Sequence, residues 1–249
     1  MINFLRNLLL AFGIALAGVA TSASNAGETL RIGALESSPP MSYRDSQGQL
    51  TGFSVEILRA ICEEMKARCE FQYTTLEQVI DSVSNGEFDI AAVGLLDTPE
   101  RRNRVIFSDP YFRSITLWFA KPGIQPGDPG VRIAAVKGSA QERYARQHGW
   151  DTVGVVAHTE LAEPLSAGVA QAMMLPMSVG LVFMRSPEFR KLGTNWMAMK
   201  APELTGDALL PITPKKPQLR DAVNAALERI KRNGTYDRIN SQFLPLRIS

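Results

Sequence analysis

A cluster of three arginines follows a helix-start signal near the middle of this 249-residue chain. Thr98 suits an N-cap and Pro99 suits the first helical position. Arg101 then falls in the first turn, and Arg102 and Arg104 follow it. A guanidinium group binds a carboxylate through two parallel hydrogen bonds and keeps its charge at physiological pH. The cluster therefore has the chemistry of an anion site, although spacing alone does not choose among the three arginines and a solvated helix face is the alternative.

The residues before this helix have the composition of a buried strand. Residues 88–95 form a short apolar run, and Gly94 near its end lets another group approach the backbone closely. In open α/β sheets, ligands bind at the carboxyl ends of the strands. Arg101 comes just after such an end, so its position in the predicted sheet also suits a binding site.

A second feature with the chemistry of an anion site lies at Ser139. Ser139 and Glu142 have the spacing of a capping box, which predicts that a new helix begins here. The free amide groups at such a helix start attract anions. A cap without any ligand is the alternative, because capping boxes begin many helices.

The two cysteines, Cys62 and Cys69, are the only ones in the chain. On one continuous helix they would lie about 10 Å apart along the axis, too far for a disulfide. A bridge therefore requires the helix predicted over residues 55–66 to end between them. A redox or metal site has little support, because the spacing is not C-x-x-C and only His148 and His158 could assist. We predict a structural disulfide.

The first 26 residues have the features of a secretory signal peptide. Arg6 precedes an apolar run over residues 8–20, and small residues follow, with cleavage predicted after Ala26 or Ala23. The run is too short to span a bilayer comfortably. No cysteine for a lipid anchor follows it. We therefore expect a soluble, exported protein.

Composition argues against several classes of function. The formal net charge is +2, and removal of residues 1–26 takes away one charged residue, Arg6, which leaves +1. Such a balance offers no clustered basic face for nucleic acid. The chain has no Ser-His-Asp order, metal-ligand spacing or phosphate-binding loop, so we expect no cofactor and no metal. The roughly 220 remaining residues suit one large domain or two small lobes.

Several stretches together resemble the extracytoplasmic solute-binding proteins of family 3, the polar amino-acid receptors of ABC importers. They are P-P-M at 39–41, G-F-S-V-E-I at 52–57, G-E-F-D-I at 86–90, T-P-E-R-R at 98–102, V-I-F-S-D-P-Y at 105–111 and G-T-Y-D-R-I at 234–239. The resemblance covers the chain after residue 26, most clearly over 29–120 and 217–244.

The resemblance implies an α/β fold of the type II periplasmic-binding-protein kind, a two-lobe flytrap with two crossover hinge segments. Lobe 1 would comprise residues 27–114 and 207–249, and lobe 2 residues 115–206. We expect the first hinge at the Pro- and Gly-rich segment 121–130 and the second crossing at 206–214. Proteins of this kind close on a small ligand by a hinge motion.

The resemblance also assigns roles to single residues. In the family, the Arg of T-x-x-R holds the α-carboxylate of the ligand, and here that residue is Arg101. The turn at Ser139 would contribute to holding the ligand carboxylate from the opposite lobe. Gly94, where the backbone lets another group approach closely, is also predicted to bind the ligand. Cys62 and Cys69 have the spacing of the disulfide found in histidine- and lysine/arginine/ornithine-binding members.

Some predicted ligand-binding positions depart from the family pattern. Leu96 and Ala140 stand where amino-acid receptors often carry a hydroxyl group, and Ser38 stands where an aromatic side chain covers the ligand. Residues 168–176, which would supply an acid for the α-ammonium group, contain none. A buried ammonium without a counter-charge costs several kcal/mol. These departures argue against an ordinary α-amino acid as ligand, unless a displaced acid acts instead. The candidates for that acid are Glu36, Glu160 and Glu163.

Three functions remain open. The first is a monomeric periplasmic receptor that captures a small polar or anionic solute, amino-acid-like or carboxylate, for an ABC permease in the inner membrane. The second is an accessory flytrap protein for a periplasmic partner such as a quinoprotein dehydrogenase. The third is an enzyme similar to cyclohexadienyl dehydratase, which needs a carboxylate or His positioned in the cleft. We rank the receptor first and expect no enzymatic activity, because acids are sparse in lobe 2.

Overall fold

The computed structural model describes residues 28–248. The predicted signal peptide, residues 1–26, lies outside the described residues. In chain order the strands are β1 (Thr29–Ala34), β2 (Ser37–Ser38), β3 (Ser42–Arg44), β4 (Leu50–Thr51), β5 (Arg68–Tyr73), β6 (Ile90–Ala91), β7 (Leu95–Leu96), β8 (Ile106–Phe107), β9 (Phe112–Ala120), β10 (Arg132–Val136), β11 (Asp151–Val155), β12 (Ala172–Pro176), β13 (Asn195–Ala198), β14 (Thr205–Leu209) and β15 (Pro211–Ile212). The helices are α1 (Phe53–Met65), α2 (Val79–Ser84), α3 (Pro99–Arg102), α4 (Ala140–Gln147), α5 (Ala162–Ser166), α6 (Met177–Phe183), α7 (Pro187–Arg190), α8 (Leu219–Arg232) and α9 (Thr235–Phe243), with 3-10 turns at His158–Glu160 and Pro202–Leu204.

The strands form two main sheets, each built around parallel strands. The first sheet has the order β5-β1-β6-β15-β8, and β1 runs parallel to β5 and β6. The second has the order β11-β10-β12-β9-β14-β7, and β10 runs parallel to β11 and β12. A small third sheet contains β2, β3 and β4. Parallel strands that are connected through helices confirm the predicted α/β class.

Two neighbouring strands, β9 and β14, connect the two sheets. The first half of β9 pairs with β14, with Phe112 opposite Ala208, and the second half pairs with β12, with Ala120 opposite Ala172. Strand β14 then leads into β15 of the first sheet. We call the part of the chain around the first sheet lobe 1 and the part around β10, β11 and β12 lobe 2.

The Pro- and Gly-rich segment 121–130 is not the first hinge, so that sequence prediction is wrong. It joins β9 to β10, and both strands lie in the second sheet. Pro and Gly mark turns, whereas a crossing between lobes can run through an extended strand of ordinary residues. The predicted second crossing at 206–214 does coincide with β14 and β15.

The apolar run 88–95 forms two short strands instead of the single strand predicted. Strand β6 belongs to the first sheet, whereas β7 pairs with β14 in the second. Gly94 lies just before β7, where an added Cβ would meet the Phe112 ring and would lie 2.8 Å from Tyr111 Oη. Glycine is required there because the backbone turns close against two aromatic rings.

Helix α1 and the disulfide fix one side of lobe 1. The helix buries an apolar face and packs against α8 and α9. It ends at Met65, and Lys66 adopts a left-handed conformation with φ of 55°. The chain therefore reverses before β5, and Cys62 and Cys69 form the predicted disulfide with their Cα atoms 6.3 Å apart.

A continuous apolar core runs through both lobes, and a smaller cluster around Trp118 and Met174 lies on the other face of the second sheet. Within residues 28–248, no helix is long and apolar enough to cross a membrane.

Candidate functional site

The cleft between the lobes brings together all six ligand-binding residues that the sequence suggested. The space within it that the centre of a water molecule can occupy is about 70 Å³. That space is enough for several water molecules or a small ligand. The six residues that line it are Ser38, Gly94, Leu96, Arg101, Ser139 and Ala140.

Helix α3 begins as predicted and positions Arg101. Thr98 Oγ1 accepts a hydrogen bond from the Arg101 amide at 3.3 Å, and Pro99 occupies the start of the helix. The helix follows β7 after only two residues. Arg101 is therefore placed at the carboxyl end of a strand, where the cleft opens.

Arg101 is buried in the cleft wall without an ionic partner. The residue is 4% exposed. Its Nη1 donates to the Leu96 carbonyl at 2.9 Å, and its Nη2 donates to the Gly138 carbonyl at 3.1 Å. Among residues 28–248, no carboxylate forms an ion pair with it. Since a guanidinium has five N–H donors, others remain for a ligand.

The charge of Arg101 persists despite its burial. Desolvation, followed by repulsion from Arg143, lowers the pKa of the Arg101 guanidinium to about 10. The side chain is therefore still a cation at neutral pH.

The two neighbouring arginines are paired and exposed. Arg102 forms an ion pair with Asp97, and Arg104 forms one with Asp81 at 2.6 Å. Neither lines the cleft. Burial thus separates Arg101 from the other two, a distinction that spacing in the sequence does not make.

The first turn of α4 forms part of the opposite wall. Ser139 Oγ accepts the Glu142 amide at 3.0 Å, as the capping box predicts. Glu142 Oε2 accepts the Gly138 amide at 2.8 Å, one residue before the position of a regular capping box. Within residues 28–248, the amides of Ala140 and Gln141 have no acceptor, and both residues line the cleft. First-turn amides of this kind are donors for an anion.

At Gly138 the backbones of the two lobes lie in close contact. Its φ is +74°, and an added Cβ would lie 2.6 Å from both Glu77 Cα and the Leu76 carbonyl oxygen. Only glycine fits both the backbone conformation and the contact.

His158 is a cleft residue that sequence reasoning missed. It is buried, and its Nδ1 shares a 2.8 Å hydrogen bond with Ser38 Oγ, across the lobes. Burial lowers the pKa of His158 to about 4, so the imidazole is neutral at neutral pH. A single histidine belongs to no motif that would mark it as a site residue. The sequence analysis considered His158 only as a residue that could join the two cysteines in a redox or metal site.

Other neutral polar side chains in the cleft were also missed. Gln141 Nε2 donates to Thr116 Oγ1 at 2.8 Å, between α4 and β9. Ser114 on β9 and Ser178 on α6 line the cleft, and no hydrogen bond of either hydroxyl occurs within residues 28–248. These groups come from separate elements, so no local motif marks them.

The acids named as substitutes for a missing counter-charge lie outside the cleft. Glu36 pairs with Arg44, Glu160 accepts the Val156 amide at 3.0 Å, and Glu163 is exposed on α5. Of the described residues that line the cleft, Arg101 alone is charged at neutral pH.

A separate outer pocket lies next to the cleft. Glu36 and Glu160 line it, and Ser38 and His158 line both spaces. The Ser38–His158 hydrogen bond therefore lies between the cleft and the outer pocket.

Comparisons with known proteins agree with this architecture. Residues 30–245 match the bacterial extracellular solute-binding proteins, family 3. The arginine-binding periplasmic protein of Mannheimia haemolytica is 29% identical over 211 residues, covering 83% of this chain and 87% of that protein. The lysine/arginine/ornithine-binding periplasmic protein of Escherichia coli K12 is 25% identical over 247 residues, covering 94% and 95%.

Solved structures share the fold as well. An ancestral amino acid-binding protein, a precursor of cyclohexadienyl dehydratase, superposes with a TM-score of 0.76 at 27% identity, covering 87% of this chain and 95% of its own. The two lobes, the crossing strands and the cleft are those of a type II periplasmic binding protein, a two-lobe flytrap. The chain belongs to the bacterial extracellular solute-binding proteins of family 3.

Proposed function

We propose that this protein captures a small anionic solute between its lobes and presents it to the permease of an ABC importer in the inner membrane. The observation that carries the proposal is Arg101, a buried cation that lines the cleft without an ion-pair partner. A buried charge is unfavourable unless it is paired, and an anionic ligand would supply the missing charge. The amides of Ala140 and Gln141 would add neutral donors from lobe 2.

Two hydrogen bonds across the cleft support a closing motion. Arg101 of lobe 1 donates to the Gly138 carbonyl of lobe 2, and Ser38 of lobe 1 bonds to His158 of lobe 2. Separation of the lobes would break both bonds and open the cleft to solvent. A ligand that bridges the same surfaces would hold the lobes together.

The moving bodies in this proposal are the two predicted lobes. Residues 27–114 with 207–249 would form one rigid body, and residues 115–206 the other, with β9 and β14 as the flexible connection. Strand β9 passes beside the cleft, which Phe112 and Ser114 line, so a small change in the backbone angles of the connecting strands would open it.

The relatives support the compartment and the partner. Their names describe periplasmic proteins that bind arginine, or lysine, arginine and ornithine. We propose the same periplasmic location for this protein, as a monomer, with a permease as its protein partner. The cleft differs from that expected of an amino-acid receptor because no acid is among the described residues that line it.

The test is thermal denaturation of the purified protein against a panel of sodium salts of mono- and dicarboxylates, amino acids and amines. A ligand at 100 times its Kd adds about 2.7 kcal/mol to the free energy of unfolding. For a protein of this size that raises Tm by roughly 5–10 °C. A shift with anions and none with amines is expected. The proposal would be contradicted if no anion raised Tm, or if amines alone raised it.

A second candidate function is an accessory role for a periplasmic protein partner. The observation that favours it is β13, whose four residues are all exposed, with Trp196 56% and Met197 38% exposed. Large exposed apolar side chains are typical of protein contact surfaces. This function would be favoured if no compound of the panel raised Tm and if a periplasmic partner copurified with the protein but not with the Trp196→Ser variant.

We propose that the protein is not an enzyme. Acid or base chemistry needs a carboxylate or histidine of suitable pKa beside the substrate. None of the described residues that line the cleft is a carboxylate, and His158 is buried, neutral and bonded to Ser38. Turnover of an arogenate-like substrate by the purified protein would contradict this.

A further inference from the structure

The chemistry of the two cleft walls narrows the class of ligand. This inference rests on the proposed function, since it asks which anion such a receptor would capture. We infer that the ligand is a short monocarboxylate that carries a hydroxyl or no polar group, and no ammonium, beside its carboxylate.

The charge balance of the cleft excludes a zwitterion. Arg101 is the one side chain among the described lining residues that is charged at neutral pH. It matches a single carboxylate. The ammonium group of an amino acid would lie in the same desolvated space with no acid to pair it and with a guanidinium nearby. Binding of the zwitterion would therefore be opposed by desolvation and by repulsion.

The other polar groups are neutral and suit a hydroxyl oxygen. The hydroxyls of Ser114 and Ser178 line the cleft without a hydrogen-bond partner in residues 28–248. The Nε2 atom of His158 also lacks one there, because only Nδ1 is bonded, to Ser38. Hydroxyl and neutral imidazole groups both donate and accept. They can satisfy a ligand hydroxyl, but they cannot neutralise an ammonium.

The remaining lining is apolar and the space is small. Met41, Leu96, Phe112 and Val179 are among its side chains. A space of about 70 Å³ for the centres of water molecules suits a small ligand. Carboxylates with a chain of two to four carbons are of this size, whereas the long side chain of arginine is not.

The acids of the outer pocket define the ligand class that competes most strongly with a short monocarboxylate, namely an ω-amino acid. Glu36 and Glu160 line it, beyond the Ser38–His158 hydrogen bond. A longer ligand with an amine at its far end would reach these acids only if that bond opened. The experiment therefore includes an ω-amino acid.

The experiment is isothermal titration of the chain, expressed whole and purified, with a matched series of ligands. Propionate, L-lactate and L-alanine differ only in the group on the α-carbon, and butyrate and 4-aminobutyrate differ only in the terminal amine. We expect L-lactate or propionate to bind, with L-alanine roughly 100-fold weaker or more. We also expect butyrate to bind more tightly than 4-aminobutyrate.

A pair of variants tests the role of charge in the cleft. Gln141→Glu changes a buried lining residue into an acid of the same shape, and Gln147→Glu makes the same change at an exposed site on the same helix. Gln141→Glu is expected to weaken L-lactate at least roughly tenfold while L-alanine weakens less or improves. Gln147→Glu is expected to change neither, and thermal denaturation shows that both variants fold.

Four results would overturn the inference. L-alanine binding as tightly as L-lactate, or 4-aminobutyrate binding more tightly than butyrate, would show a site that accepts an ammonium, yet the receptor proposal would stand. Failure of every acid in the series would reject the short monocarboxylate class. The proposed function fails only if the wider panel of anions is silent as well. Equal losses in Gln141→Glu and Gln147→Glu would contradict the role given to the charge of the cleft.

Discussion

The two walls of the cleft recognise a ligand in different ways. The lobe 1 wall carries the fixed charge, Arg101, which the Leu96 carbonyl and α3 hold in place. The lobe 2 wall is neutral and offers amides, Gln141, His158 and Ser178. Lobe 1 would therefore set the charge of the ligand, and lobe 2 would select among ligands of that charge on closure.

The largest expected effect comes from the contact between the walls. Gly138→Ala places a methyl group against the backbone of lobe 1 and forces an alanine to a φ of +74°. We expect anion affinity to fall roughly 100-fold or more, because the clash with the lobe 1 backbone, about 3 kcal/mol, opposes closure. Titration of the anion that gives the largest Tm shift in the panel would measure it.

Gly168→Ala is the matched control for this variant. Gly168 has a φ of +71°, but an added Cβ there meets nothing within 4 Å. It carries the same backbone strain without the contact between lobes, so affinity should stay near that of the unmodified protein. Equal losses in the two variants would show that closure does not depend on Gly138.

An intermediate effect should appear as a pH dependence. The pKa of His158 in the closed protein is about 4, against an ordinary value of 6.5. As pH falls from 6.5 towards 4, the unfolded chain binds a proton that the folded protein does not, so stability decreases. Between pH 7 and pH 5 the loss from this group is about 2 kcal/mol.

Denaturant unfolding at several pH values measures this loss. His158→Gln should remove most of the slope in this window, and His148→Gln, at an exposed site, should leave it unchanged. An unchanged slope in His158→Gln would mean that the histidine is not held neutral between the lobes.

The smallest effect compares the helix caps of the two walls. Thr98→Ala and Ser139→Ala each remove a side-chain oxygen that accepts a first-turn amide. Each should lower the free energy of unfolding by about 1 kcal/mol. Anion affinity should fall more in Thr98→Ala, because that cap positions the charged residue. A larger loss of affinity in Ser139→Ala would assign the main anion contact to lobe 2.

Local signals predicted the helix starts at both walls of the cleft and the disulfide. The Thr98-Pro99 start, the disulfide and the helix start at Ser139 depend on residues close in sequence, and all three occur in the structure. Burial is different, because it depends on the whole fold. The choice of Arg101 over Arg102 and Arg104 came from the family resemblance, and the structure supplies the physical distinction between paired, exposed arginines and an unpaired, buried one.

Features that depend on distant pairing were missed. Residues 88–95 were predicted as one strand, yet they divide between two sheets because β15 and β14 approach different parts of the run. The first crossing between the lobes runs through β9. Its composition is that of an ordinary buried strand, so nothing in it marks a crossing. His158 enters the cleft only because lobe 2 closes on Ser38. None of these partners is adjacent in the chain.

The most direct measurement is the anion-induced Tm shift in Arg101→Met and Arg102→Met, using the panel anion with the largest shift in the unmodified protein. Arg101→Met should abolish the shift, while the free variant stays at least as stable as the unmodified protein, because an unpaired buried charge has been removed. Arg102→Met should keep the full shift. A shift that persists in Arg101→Met would contradict the claim that this arginine holds the ligand.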